Sequence, residues 1–95
     1  MTSVVKHLPA QNRYVFAKDG IEVGLTDYQL VDHDIHITHT EVDPSMRHNG
    51  LASEMVQAVL DHIRADTDYR VVANCPYVVT WLSRHPEYQE LEQRA

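Results

Sequence analysis

The sequence predicts an α+β fold in which a mostly antiparallel sheet carries two helices, in the order β-β-β-α-β-α. Three observations lead there. Apolar and polar residues alternate through residues 13–42, the period changes to that of a helix over residues 51–65, and a further strand and short helix follow. Ninety-five residues, 43% of them apolar and 23% charged, suit one globular domain, 1–95, because two cores of half that length would each bury too little surface.

Arg13 to Ala17 (RYVFA) is rich in β-forming side chains, and the Asp19-Gly20 pair behind it suits a type I′ hairpin turn. In the strand that begins at Ile21, the residues Ile21, Val23 and Leu25 alternate with Glu22, Gly24 and Thr26, which predicts one buried face. A third strand is expected over Ile35–Val42, with Ile35, Ile37, His39 and Glu41 on one face and His36, Thr38, Thr40 and Val42 on the other. Asp43-Pro44-Ser45 ends it, since proline fixes its own φ and pushes the residue before it out of helical geometry. Leu51, Ala52, Met55, Val56, Val59, Leu60 and Ile63 then recur at intervals of three and four, the stripe of a helix running to about Ala65. Tyr69–Cys75 (YRVVANC) reads as the next strand, with Val71, Ala73 and Cys75 on one face. Pro76 opens a second helix whose buried positions are Tyr77, Val78, Trp81 and Leu82, and His85-Pro86 interrupts it. The residues beyond read as a frayed tail.

Eight Lys and Arg against 14 Asp and Glu give a net charge of −6, a field that repels phosphate backbones and anionic lipid, so neither nucleic acid nor a membrane surface is expected as a partner. No apolar run approaches the ~20 residues that cross a bilayer. One cysteine forms no internal disulfide and no multi-thiolate zinc site, and the first residues resemble neither a signal nor a transit peptide; a reducing cytoplasm is the expected location.

Arg47-His48-Asn49-Gly50-Leu51-Ala52 places a basic residue, a glycine and a small residue where a strand hands over to a helix. Glycine there lets the backbone approach a ligand. The first helical turn presents unpaired N–H groups and the positive end of the helix dipole, which is the chemistry of a diphosphate site. The same residues also describe a plain turn in which Gly50 relieves strain and Arg47 is solvated. Taken with its neighbours, the loop resembles that of the GCN5-related N-acetyltransferase (GNAT) superfamily, whose acetyl-CoA loop follows Arg/Gln-x-x-Gly-x-Gly/Ala; Arg47, Gly50 and Ala52 fit that spacing. More closely, the chain resembles a very small acetyltransferase-like family in which His-Thr-x-Val and Cys-x-Tyr motifs flank the loop. His39-Thr40-Glu41-Val42, Cys75-Pro76-Tyr77 and Arg84-His85-Pro86 carry that likeness. His48 and Asn49 stand where such loops often hold Gly, Lys or Arg.

The resemblance implies a small GNAT-like domain that binds acetyl-CoA or coenzyme A and passes the acetyl group to an amine on a small molecule or protein, as a monomer or weak homodimer. It places Val42, Arg47, His48, Asn49, Gly50, Leu51, Ala52 and Ser53 along the cofactor, with Tyr77, Arg84 and His85 beside it. The excess of acidic residues favours a cationic acceptor. A coenzyme-binding module that transfers nothing is the alternative.

Two residues are candidates for the chemistry. Cys75 stands just before a helix, where the dipole favours thiolate; it could equally be a small buried hydrophobe beside Val71 and Ala73. His39 ends an otherwise apolar row and could be a hydrogen-bonded core residue; the resemblance sets its strand beside that of Cys75, so that the two would meet as a base and a nucleophile or acid. Arg84 offers a bidentate partner for the cofactor's 3′-phosphate, or alternatively a cation at a helix C-terminus. No metal is expected. Alternation puts His33 and His39 on one strand face, about 20 Å apart, and His36 on the other.

Overall fold

A computed structural model describes residues 3–45 and 50–94. Five strands form one sheet in the order β1-β2-β3-β4-β5: β1 Ser3–Leu8, β2 Arg13–Lys18, β3 Ile21–Val31, β4 Asp34–Val42 and β5 Arg70–Ala73. Successive strands pair antiparallel, except that β4 and β5 run parallel, joined by helix α1 (Leu51–Asp66). Helix α2 (Pro76–Ser83) follows β5, and a 3-10 helix spans Pro86–Gln93. The α+β class and the mostly antiparallel sheet are as expected. The order gains one strand at the start and a helical segment at the end.

The added strand, β1, pairs along the whole of β2, from Ser3↔Lys18 to Leu8↔Arg13. Its sequence gives little warning, because an edge strand buries only part of one face; here Val5 and His7 turn inward. The hairpin after β2 has the expected turn, with Asp19 and Gly20 both at positive φ, 52° and 83°. The final segment is no frayed tail. Leu91 is fully buried and Tyr88 nearly so, and the guanidinium of Arg94 donates to the carbonyl oxygens of Thr67 (2.8 Å), Arg64 (3.1 Å) and Tyr69 (3.2 Å), satisfying acceptors that α1 leaves open at its end.

Two bulges change which side chains face the core. Phe16 pairs with Gly24 while Ala17 pairs with Glu22, so Val23 is an extra residue in β3. Beyond it Gly24, Thr26 and Tyr28 face inward and Leu25 outward, the reverse of the simple alternation. Gly24 is needed there, since a Cβ would stand 2.8 Å from Met55 Sδ and 3.0 Å from the Glu41 carbonyl oxygen. On β4, Asp27 of β3 pairs with His39 and Tyr28 with Ile37, which leaves Thr38 as the extra residue. Ile35 and Ile37 are buried as expected, but after Thr38 it is Thr40 and Val42 that turn to the core and His39 and Glu41 that turn away.

The core lies between the sheet and the helices. Leu51, Met55, Val56, Val59, Leu60 and Ile63 of α1 cover Tyr14, Phe16, Tyr28, Ile35 and Ile37, and Val78, Trp81 and Leu82 of α2 close one side. Tyr77 departs from its expected buried position and is 41% exposed. Among the described residues both helices pack on the same face of the sheet. On the other face Val15 and Ala17 are also buried, and the guanidinium of Arg13 grips Asp27 at 2.6 and 3.3 Å.

Candidate active site

β4 and β5 stay paired only from Asp34↔Arg70 to Ile37↔Ala73. The Ile37 carbonyl oxygen then accepts from both Asn74 N–H (2.9 Å) and Cys75 N–H (3.0 Å), and the two chains part: β4 runs on to Val42 while β5 turns into α2. A cleft of about 470 Å³ lies beside this splay, lined by His39, Thr40, Glu41, Val42, Gly50, Ala52, Ser53 and Tyr77. Residues separated by more than thirty positions are brought to one opening because the parallel crossover returns the chain next to β4.

At one end of the cleft stands the start of α1. Gly50 caps it at φ 70°, and among the described residues no side-chain cap hydrogen bond is made there. Among the described residues outside its chain neighbours, nothing lies within 4 Å of the point where a Cβ on Gly50 would be. The start of this sixteen-residue helix presents backbone amides at its positive end, which fits an anionic group. Of the expected loop residues, Arg47, His48 and Asn49 lie outside the described residues. Leu51 is buried in the core, so only its backbone faces this end, whereas Ala52 and Ser53 line the cleft. Val42 lines it as well.

Behind Thr40, and not itself lining the cleft, is Cys75, the N-cap residue of α2 and 7% exposed. Burial, the largest single influence, pushes its thiol up. The Thr40 hydroxyl, 3.5 Å from Sγ, and the backbone N–H groups of Val78, Tyr77 and Thr40 together outweigh burial and hold the thiol below its ordinary value. His39 does not share this environment. The bulge at Thr38 turns it to the open face of the sheet, where its Nε2 lies 3.6 Å from Glu41 Oε1, and the expected contact between His39 and Cys75 is replaced by one between Thr40 and Cys75. Thr40 and Glu41 were visible in the sequence inside the His-Thr-x-Val motif, but alternation without a bulge assigned each to the wrong face.

Arg84 and His85 end α2 and line a smaller pocket of about 170 Å³ with Ser53, Tyr77, Thr80 and Trp81. The His85 ring stacks on the Trp81 indole at 3.7 Å and donates through Nδ1 to the Trp81 carbonyl oxygen at 2.7 Å. The indole N–H in turn donates to Ser53 Oγ at 2.8 Å, tying α2 to the first turn of α1. Among the described residues no three His, Cys, Asp or Glu side chains gather as a metal site. His36 and His39, expected on opposite faces, are brought to the same face by the bulge, yet each has its own partner: His36 Nδ1 is 3.0 Å from Asn74 Oδ1.

Comparison with known proteins bears directly on this mixed sheet, whose one parallel pair splays open beside a helix that starts on glycine. The profile described as GCN5-related N-acetyl-transferase matches residues 13–91, and the chain belongs to that family. Among solved structures, the fold is similar to that of the ribosomal-protein-S18-alanine N-acetyltransferase from Escherichia coli, with a TM-score of 0.60 at 12% identity over 76% of this chain and 49% of the other. It is also similar to an acetyltransferase from Trypanosoma brucei, with a TM-score of 0.50 at 22% identity over 92% of this chain and 66% of the other. The chain thus spans about half the length of the first and two thirds of the second. No curated protein sequence matches it.

Proposed function

We propose that the chain is an acetyl-CoA-dependent N-acetyltransferase whose acceptor is a cationic amine. The observation that carries the reading is the cleft joining the uncapped start of α1 to the splay beside Cys75. The N–H groups of the first turn of α1 would hold the diphosphate, Ala52, Ser53 and Tyr77 would border the arm, and Arg84 would face the 3′-phosphate. When bound, the thioester supplies an activated acetyl carbon.

The two faces of β4 divide the remaining work. His39, on the open face with Glu41 beside it, takes the proton that the acceptor nitrogen must lose to attack. Cys75, on the helix side, meets the departing sulfur and can return a proton to it. Because His39 and Cys75 stand on opposite faces of β4, His39 does not serve as the base of Cys75, which supports direct transfer over an acetyl-cysteine route. A second cavity, about 550 Å³, opens beside the cleft and shares Glu41 and Val42 with it. Glu22, Glu41 and Asp43 line this cavity, and Arg13, the one arginine lining it among the described residues, is engaged by Asp27, so its field favours a positively charged acceptor.

Calorimetry with acetyl-CoA, followed by thiol release with a panel of amines, tests the reading. Binding heat and amine-dependent release are expected, with Cys75→Ala and His39→Ala each lowering kcat roughly 100-fold while acetyl-CoA still binds. Absence of heat at millimolar acetyl-CoA overturns the reading. Heat without release under every amine marks a binding module instead.

A further inference from the structure

The sulfur of Cys75 is held by more than its helix. Thr40 reaches it across the splay, and Thr40 faces inward only because Thr38 bulges out of β4. Were Thr38 paired in regular alternation instead of bulged, His39 would occupy the inward position and the Thr40 hydroxyl would point to the open face. The bulge therefore replaces an imidazole with a hydroxyl beside the buried sulfur. We propose that Thr40 is the positioning residue for Cys75: its hydroxyl donates to Sγ and, with its own N–H and those of Tyr77 and Val78, fixes the sulfur toward the splay as a hydrogen-bonded thiolate or thiol.

The chemistry of the contact sets its direction. The hydroxyl can donate to a thiolate, whereas a thiol needs only one acceptor and leaves the surrounding N–H donors competing for it. Four donors converge on one sulfur, three of them backbone groups that no side-chain substitution removes. Thr40 is therefore the single adjustable member of the set. The role in transfer rests on the acetyltransferase reading above; the effect on the thiol does not.

The chain has a single cysteine, so protein labelled with carbon-13 at cysteine Cβ gives one cysteine resonance whose titration reports this group alone, without any cofactor. Wild type should titrate below the ordinary thiol value. Thr40→Val, which keeps the shape and removes the donor, should lower the acid dissociation constant about tenfold, the size of one charge-assisted hydrogen bond to a partly buried ion. Thr40→Ser should restore most of it. An unchanged midpoint in Thr40→Val overturns the proposal, as does an equal displacement in Thr40→Val and Thr40→Ser, which would make the effect one of packing. If the amide spectrum shows that Thr40→Val does not fold, Thr40→Ala against Thr40→Ser makes the same comparison. Acetyl-CoA calorimetry on the same samples separates this outcome from failure of the acetyltransferase reading, since the titration stands whether or not the cofactor binds.

Discussion

Gly50 shows how much one residue decides at the start of α1. Its φ of 70° lies in the left-handed region, which a side chain rarely adopts. Alanine at this position meets no atom of the described residues beyond its chain neighbours, so Gly50→Ala should act through backbone strain. About 1 kcal/mol of stability is the expected loss, read as a lower midpoint of denaturant unfolding, together with weaker acetyl-CoA binding as the new methyl stands at the start of α1. The need for glycine here was legible, because a glycine at the strand-to-helix handover has few other uses. The side-chain pairings of the site were less so. His39 and Thr40 are neighbours in the chain, and which of them reaches Cys75 depends on the single unpaired residue Thr38. Nothing in the local composition around Thr38 announces a bulge, since Thr is an ordinary strand residue.

At the scale of elements, β1 is the part that the sequence hid, and it carries a group sensitive to mild acid. It is an edge strand anchored by His7, whose Nε2 lies 2.6 Å from Tyr28 Oη and whose ring stacks on Tyr14 at 4.3 Å, with the ring of His62 on α1 at 5.5 Å. Burial first, and then the charge of His62, hold His7 below its ordinary 6.5. The folded chain thus binds fewer protons at His7 than the unfolded chain, so this contribution to stability is complete above pH 6.5 and is lost as pH falls through the folded value. The thermal midpoint is expected to fall between pH 7.5 and about pH 5.5, and His7→Gln should flatten that dependence. Equal slopes in the two proteins would show that His7 does not carry it. Helix α1 was legible because its stripe of apolar residues repeats over four turns, whereas the closing 3-10 segment has only Tyr88 and Leu91 to bury and shows no period.

The whole molecule is two-sided. Helices cover one face of the sheet, and the other carries paired ions, among them Arg13–Asp27 and Arg70–Asp34, with a cavity bordered by Glu22, Glu41 and Asp43. The net charge of −6 strengthens the attraction of that face for cations. If the acceptor is recognised there, raising ionic strength from roughly 0.05 to 0.5 M shortens the Debye length to a few ångströms and should raise KM for a polycationic amine severalfold while leaving kcat nearly unchanged. Glu22→Gln combined with Glu41→Gln should raise KM in the same way and remove most of its dependence on salt. A KM indifferent to both changes would place acceptor recognition elsewhere.

Local pattern alone determined the class of the fold, the hairpin at Asp19-Gly20, the long helix and the glycine that opens it, because each rests on the periodicity or the backbone freedom of adjacent residues. Tertiary structure decided which faces those strands present. A bulge changes the parity of every residue after it, and its position depends on pairing with a neighbouring strand, a contact that lies outside any window of consecutive residues. The same holds for the end of the chain, where Arg94 finds its acceptors on carbonyl groups of α1 and the loop after it, which only the folded chain brings within reach.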